Sequence, residues 1–415
     1  MPLDREGYDV VYPAGGAHLS RVPPGGSFLS RALVPASLVY AAASGALRRT
    51  RMGSRRKTAE AIVISVGNLE AGGNGKTPFA AHLVNELARR GHRPAYVSRG
   101  FKSEAEGLGA ATVLVPESSE PRGWYSSGVR ILRRGLPGLS GAVGDEGAMV
   151  ASRCPETPLA FSRDRRRAVE AVCALFAPTH VVLDDAFQTW PVARDVDIVL
   201  LDAGHPLGNG RIIPAGSLRE GVGALCRADA VGFNGIEIEL DRALGTGSGG
   251  AGREAAAAEE RLARLRDWTR SFMRSPVPVF GIRRRVSIHR PVPDSAGRLG
   301  GEESASPGVR VAALSSVGRP RRFEESLERL GVTVALALRF PDHYRYRAAC
   351  VGRMEDALAS RGIGVLVTTE KDWSKLREIG PPRVDVRVAR LDLDIVGDDA
   401  VLICEKPRAL PAASA

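Results

Sequence analysis

A chain of 415 residues with 44% hydrophobic residues, 25% charged residues and a net charge of +11 is globular, long enough to bury a substantial core, and by length holds two domains or somewhat more. Its five cysteines, Cys154, Cys173, Cys226, Cys350 and Cys404, are scattered and odd in number. No zinc site or disulfide framework is readable from them, and a reducing compartment is the default. Aromatic content is only 5% and no aromatics interleave the N-terminal basic cluster at 48–57, so a nucleic-acid partner is not expected.

The first element in chain order is also where the charge gathers. Residues 1–57 hold nine Lys/Arg against three Asp/Glu, and the uncharged run Ala32 to Leu47 is followed by Arg48, Arg49, Arg51, Arg55, Arg56 and Lys57. Sixteen residues fall short of the roughly 20 that cross a bilayer, which favours a helix lying in the interface. The basic cluster behind it suits anionic headgroups on a cytoplasmic face. Two other readings stay open: a cleaved signal peptide, which the following charges oppose, and an ordinary helix packed on the body.

From residue 58, strand-like runs at 61–66, 94–98, 157–161, 180–184, 197–202 and 229–233 alternate with helix-like runs at 76–90, 145–154 and 164–176. That alternation predicts a parallel sheet with helices on both faces and ligands at the carboxyl ends of the strands. Residues 241–275 read as a flexible insertion plus a solvated helix. The Gly/Ser/Pro-rich stretch 293–308 reads as a hairpin or linker into a smaller α/β domain. The expected division is 1–57, a tail with a membrane-associated helix; 58–275, a nucleotide-binding domain; and 276–415, a smaller α/β domain.

The stretch "VGNLEAGGNGKTP" at 66–78 closes one apolar run and opens a helix-like one. Gly72, Gly73, Asn74 and Gly75 offer backbone amides and a helix N-terminus to phosphates, Lys76 suits the β/γ oxygens, and the Thr77 hydroxyl suits Mg²⁺. The full G-x-x-x-x-G-K-T pattern wants glycine where Glu70 stands, and a chance glycine-rich turn is the alternative. Asp184 and Asp185 end an apolar strand as metal-holding carboxylates do, or else cap the next element. Asp145 and Glu146 open a helix, where an N-cap is the local alternative for Asp145. For His343 in "FPDHYRYR" the alternative is a buried histidine satisfied by hydrogen bonds.

Further strings follow in order: "VSRGF" (97–101), "GDE" (144–146), "SRDRRRAV" (162–169), "LDDAFQ" (183–188), "ARDVDIVLLDA" (193–203), "GNGRIIPAGSLREG" (208–221), "FPDHY" (340–344) and "TTEKDWSKL" (368–376). With the glycine-rich stretch and the N-terminal helix, this series resembles the tetraacyldisaccharide 4'-kinase family over nearly the whole chain. The resemblance implies a P-loop NTPase-like α/β fold. It also implies two α/β/α sandwich domains, joined by a hairpin linker, with an N-terminal membrane-associated helix. It implies transfer of the ATP γ-phosphoryl group to the 4'-hydroxyl of a tetraacylated disaccharide 1-phosphate, giving lipid IVA. The enzyme would work with Mg²⁺ at the cytoplasmic face of the inner membrane and without an obligate protein partner.

Carried over by motif, Lys76 and Thr77 take the phosphate-loop roles, Asp145 is the base with His343 as its partner, and Asp184 is a further active-site acid. Thr77, Asp185, Glu146 and Glu220 lie at or near the metal. Asp145 and His343 belong to different expected domains, so their meeting requires closure. The chain departs from the family pattern at Ala186 and Thr189, where "DDGxQH" reads "DDAFQT", at Gly147, where "GDEP" ends in glycine, and at 315–320, where "SGIGNP" reads "SSVGRP". A membrane-associated switch ATPase of the deviant Walker type is the first rival. It wants lysine where Ala71 stands. A soluble kinase for another small alcohol is the second, and it has no use for segment 32–57.

Overall fold

The computed structural model describes residues 28–52, 60–72, 75–116, 118, 120–122, 128–136, 138–189, 191–236, 251–292, 299–303 and 308–405. The first half runs α1 (Phe28–Ala32), α2 (Val34–Met52), β1 (Ile62–Asn68), α3 (Lys76–Arg89), β2 (Pro94–Ser98), α4 (Glu104–Gly107), β3 (Ala111–Val115) and β4 (Val129–Arg133). It continues with α5 (Leu139–Val143), α6 (Asp145–Arg153), β5 (Leu159–Phe161), α7 (Arg165–Phe176), β6 (His180–Asp184), β7 (Val196–Asp202), β8 (Ala230–Asn234) and α8 (Ala251–Arg270). The second half holds β9 (Val279–Pro291), β10 (Leu299–Glu303), β11 (Arg310–Ser315), α9 (Pro320–Arg329), β12 (Thr333–Arg339), α10 (Ala348–Ala359), β13 (Val365–Thr369), α11 (Glu370–Ile379), β14 (Asp385–Gly397) and α12 (Ala400–Glu405).

β1 sits between β6 and β7, both parallel to it, with Ile64 level with Val182 and Val196. These strands are continuous apolar runs because helices cover both faces. On one face Ile64 and Val66 pack with Phe79 and Leu83 of α3 and Val150 of α6. On the other, Val63, Val97 and Leu183 meet Val169 and Val172 of α7. All three loops after β1, β6 and β7 therefore open on one edge, which carries the site.

The strands form one continuous sheet in the order β12-β11-β13-β14-β9-β8-β7-β1-β6-β2-β5-β3-β4, with β10 paired to β9. Where a hairpin linker between separate sandwiches was expected, β9 and β14, 13 residues each, form an antiparallel ladder from Phe280 opposite Gly397 to Val388 opposite His289. β9 also pairs with β8 through Val279–Ile282, and β14 with β13 through 385–389. The ribbon hands the sheet from one half to the other.

Three elements depart from expectation. β3 and β4 extend the first half beyond the anticipated strands. The helix of the 241–275 insertion is not merely solvated: Leu262 and Leu265 of α8 are buried with Val199 and Phe233. Residues 237–250, which include 241–250 of that insertion, 1–27 of the tail and 53–59 of the basic cluster lie outside the described residues.

α2 is not a packed core helix either. Ser30 Oγ, just before it, donates to Ala215 O (2.7 Å), and Ser37 Oγ donates to Ile212 O (2.8 Å) and accepts from Ala215 N–H (3.0 Å). Leu38 and Val39, 67% and 71% exposed, face outward. Among the described residues no helix is long and apolar enough to cross a membrane.

β8 narrows at Gly232, where an added Cβ would lie 2.5 Å from the Phe280 ring and 2.8 Å from Leu200. Phe280 is fully buried, so the ring has nowhere to retreat. Gly232→Ala is expected to destabilise the protein by about 1–3 kcal/mol, read as a lower urea midpoint; an unchanged midpoint would show that the ring yields freely.

Candidate active site

At the carboxyl end of β1 the chain turns through Gly72 (φ 128°) and Gly75 (φ 73°) into α3 at Lys76. Gly75 is required twice over, since its φ is left-handed and a Cβ there would lie 2.3 Å from the Asn234 amide. Glu70, standing where glycine was wanted, is buried and accepts from Ser217 Oγ at 2.7 Å. Backbone bonds from Ala71 N–H to Ser217 O and from Arg219 N–H to Leu69 O, both 2.7 Å, pin the loop's entrance to segment 208–221. Gly73 and Asn74 lie outside the described residues.

Lys76 Nζ donates to Gly72 O at 3.0 Å and lies 3.3 Å from Asp185. Thr77, one residue on, donates its hydroxyl to Asp184 Oδ2 at 2.7 Å, and Tyr96 OH donates to the same oxygen at 2.7 Å. Asp184 Oδ1 is buried with no hydrogen-bond partner. Burial pushes the Asp184 carboxyl above the ordinary range, against the pull of those two hydroxyls. Thr77 Oγ1 also lies 3.5 Å from Glu146 Oε2, and burial raises the Glu146 carboxyl too, with Lys371 opposing.

The adjacent Asp185 goes the other way. Its φ of 48° turns the carboxylate to Lys76 and to Arg219, whose Nη1 donates at 2.9 Å. Burial works against ionisation, but Lys76 and then Arg219 hold Asp185 below the usual carboxylate range. The left-handed residue in this turn is Asp185; Ala186 is fully buried and its methyl packs in the core. The Ala186 departure therefore meets no backbone penalty.

α6 starts at Asp145, and the residue before it, Gly144, has φ 88°. Asp145 is thus the first helical residue rather than the cap. Its carboxylate crosses to the second half of the chain, where His343 Nδ1 lies 3.0 and 3.1 Å from the two oxygens. Lys371 and Lys375 of α11 approach Asp145 Oδ2 to 3.5 and 3.7 Å. Burial would push this carboxyl up, but the His343 hydrogen bond and the two ammoniums hold it well below the usual range. His343 (φ 64°) packs edge-on against Phe101, ring centroids 5.4 Å apart, so it bridges the halves instead of filling a core.

Lys76, Thr77, Glu146, Asp184, Asp185 and His343 line one cleft of about 760 Å³. Glu220 does not: Arg227 at 3.0 Å and Arg48 at 3.6 Å take its carboxylate. Among the described residues no three His, Cys, Asp or Glu side chains converge tightly enough to hold a metal unaided. Thr77 instead brings a carboxylate oxygen of Asp184 to 2.7 Å and one of Glu146 to 3.5 Å of its hydroxyl, a few oxygens in one place. Mg²⁺ suits that, since it takes one or two carboxylates and completes its octahedron with water and substrate phosphate. Sequence reasoning passed over Tyr96 and Lys371. Tyr96 sits mid-strand as an ordinary aromatic, and Lys371 carries its only signal in the "TTEKD" string.

Glycine turn, helix N-terminus, lysines and ionisable acids around one cleft on an α/β sheet define a protein that handles phosphate, and by class a kinase. The chain belongs to the tetraacyldisaccharide-1-P 4'-kinase family, whose model matches residues 29–404. It is 36% identical over 356 residues to the tetraacyldisaccharide 4'-kinase of Anaeromyxobacter dehalogenans strain 2CP-C, covering 83% of this chain and 80% of that one. It is 32% identical over 383 residues to that of Methylobacterium nodulans, covering 92% of each. The fold is similar to the crystal structure of Aquifex aeolicus LpxK in complex with ATP, with a TM-score of 0.59 and 23% identity over 89% of this chain and 95% of that one.

An unpartnered buried carboxylate oxygen is a burden unless a cation answers it. Asp184→Asn is therefore expected to raise the thermal midpoint of the protein in chelator, while removing activity. A lower midpoint would mean that the Asp184 charge already stabilises the fold.

Proposed function

We propose that the chain transfers the γ-phosphoryl group of ATP to the 4'-hydroxyl of tetraacyldisaccharide 1-phosphate, giving lipid IVA, at the cytoplasmic face of the inner membrane. The observation that carries the mechanism is His343, which lines the cleft with Lys76 and Thr77 and contacts Asp145, itself on an adjoining cavity of about 220 Å³. A sugar hydroxyl is a poor nucleophile at neutral pH. The Asp145 carboxylate, oriented by His343, accepts its proton as the new P–O bond forms and the bond to ADP breaks.

Lys76, with the amides of residues 72–77, holds the β/γ oxygens of ATP. Thr77, Asp184 and Glu146 would hold Mg²⁺, which when bound neutralises charge on the phosphates. Asp185, with Arg219, positions Lys76. In this reading Glu220 serves the seat of the N-terminal helix through Arg48 and Arg227. Residues 58–275 and 276–415 act as two jaws, and their contact at Asp145 and His343 keeps water from the reaction.

The outward Leu38 and Val39 of α2, with Tyr40 and Leu47 also exposed, suit an interfacial seat beside the basic cluster. A substrate with four acyl chains stays in the bilayer, so the enzyme has to come to it.

The test is transfer of labelled γ-phosphate from Mg·ATP to the lipid in mixed micelles. Asp145→Ala and His343→Ala are each expected to lower kcat by about 10²–10⁴-fold with little change in ATP binding; near-normal turnover in either returns that residue to a packing role. Deleting residues 32–57 is expected to abolish sedimentation with anionic vesicles. Unchanged vesicle binding would refute the interfacial helix.

A further inference from the structure

We propose that Lys371, from the second half of the chain, is a second lysine on the transferring phosphoryl group, facing Lys76 across the cleft. The proposal rests on the phosphotransfer reading above and adds a residue to it. The "TTEKD" string is where the argument starts, because its five residues are fixed by their neighbours to different ends. Thr369 caps α11, its hydroxyl accepting from Asp372 N–H at 3.1 Å. Glu370 is gripped by the Arg153 guanidinium, through Nε at 3.0 Å and again through Nη2, which fastens the start of α11 to the end of α6.

Asp372 is fully buried. It accepts from Ser316 N–H at 2.8 Å, from the Ser316 and Thr369 hydroxyls and from Tyr346 OH at 3.0 Å. Lys375 is absorbed by the same knot, 2.6 Å from Ser316 Oγ and 2.8 Å from Asp372. Between the locked residues 370 and 372, Lys371 lines the cleft.

There Lys371 Nζ lies 2.9 Å from Asp342 Oδ1 and 3.5 Å from Asp145 Oδ2. Burial lowers the ammonium, but Asp145, Asp342 and Glu146 more than compensate and hold it above the ordinary lysine value. Lys371 also lines a second cavity of about 570 Å³ between α9, β9 and the loops after β7 and β8, so it stands where the two spaces join.

The Asp342 carboxylate is 46% exposed, and a pair with a half-exposed partner is a weak tether. A polyphosphate entering the cleft would take the ammonium from it. The negative charge of the transferring group is spread over three equatorial oxygens. Lys76 reaches them from the loop side and Lys371 from the side of Asp145 and His343, where the acceptor oxygen must arrive. A cation already held at the edge of the cleft stabilises the transition state after only a small shift of its side chain.

The experiment uses full-length protein and compares Lys371→Met and Lys371→Arg with wild type in kcat, KM for ATP, and equilibrium binding of ADP and the non-hydrolysable analogue AMP-PNP. Lys371→Met is expected to lower kcat by about 10²-fold or more and to weaken AMP-PNP binding at least tenfold while ADP binding stays within about twofold. Lys371→Arg, which keeps the charge and folds alike, is expected to recover part of the AMP-PNP affinity. Equal weakening of both nucleotides, or no weakening of either, would overturn the proposal and leave Lys371 a strut between the halves. Wild-type protein that bound neither nucleotide would overturn the phosphotransfer reading together with it.

Discussion

Four carboxylates crowd one edge of the sheet: Asp145 and Glu146 at the start of α6, Asp184 and Asp185 at the end of β6. Acids this close and this buried do not stay ionised unless cations answer them. Asp185 is answered by Lys76 from α3 and Arg219 from segment 208–221, and Asp145 by His343, Lys371 and Lys375 from the second half. Charge compensation is therefore what joins the two halves at the site, and the continuous β9–β14 ribbon is what lets the partners arrive in register. Asp184 and Glu146 have no such ion pair among the described residues, burial raises both carboxyls, and Asp184 Oδ1 is buried without a hydrogen-bond partner.

Segment 208–221 works as a common bracket. Through Ser217 and Arg219 it fixes the entrance of the glycine loop, and Arg219 also sets the orientation of Asp185. Through Ile212 and Ala215 it receives Ser30 and Ser37 of the N-terminal helices, and Glu220 receives Arg48. One loop thus carries both the outward-facing helix and the phosphate end of the cleft. This also accounts for Glu70: where a freestanding glycine loop needs a flexible first residue, this one has a buried carboxylate stapled to Ser217.

Much of this was legible from sequence where local physics decides. Continuous apolar runs betrayed the buried parallel strands, and Gly-Lys-Thr after such a run betrayed the helix start. β4 was missed because "VRILR" is a half-exposed edge strand without turn signals strong enough to frame it. The β9–β14 ribbon was missed because a register between residues about a hundred positions apart leaves no local trace. Adjacent Asp184 and Asp185 look equivalent in the string, and only a left-handed backbone at Asp185 sends them to opposite tasks. Asp145 and His343, 198 residues apart, were paired by resemblance alone, since neither residue's neighbours point to the other.

Of the four described non-glycine residues with positive φ, Lys102, Ala177, Asp185 and His343, only Ala177 is an ordinary helix end. Asp185 and His343 belong to the cleft, and Lys102 follows Phe101, on which His343 packs. Left-handed backbone disfavours residues with a Cβ, and it persists only where surrounding contacts over-determine it. Here they do: Arg219 and Lys76 grip Asp185, while Asp145 and Phe101 grip His343. Strain and buried charge are thus concentrated at the same few residues, and each is tolerated because a group from a distant part of the chain holds it. A site assembled this way loses its geometry when any one holder is lost, so its tuning resides as much in Arg219, Tyr96 and Phe101 as in the residues that meet the substrate.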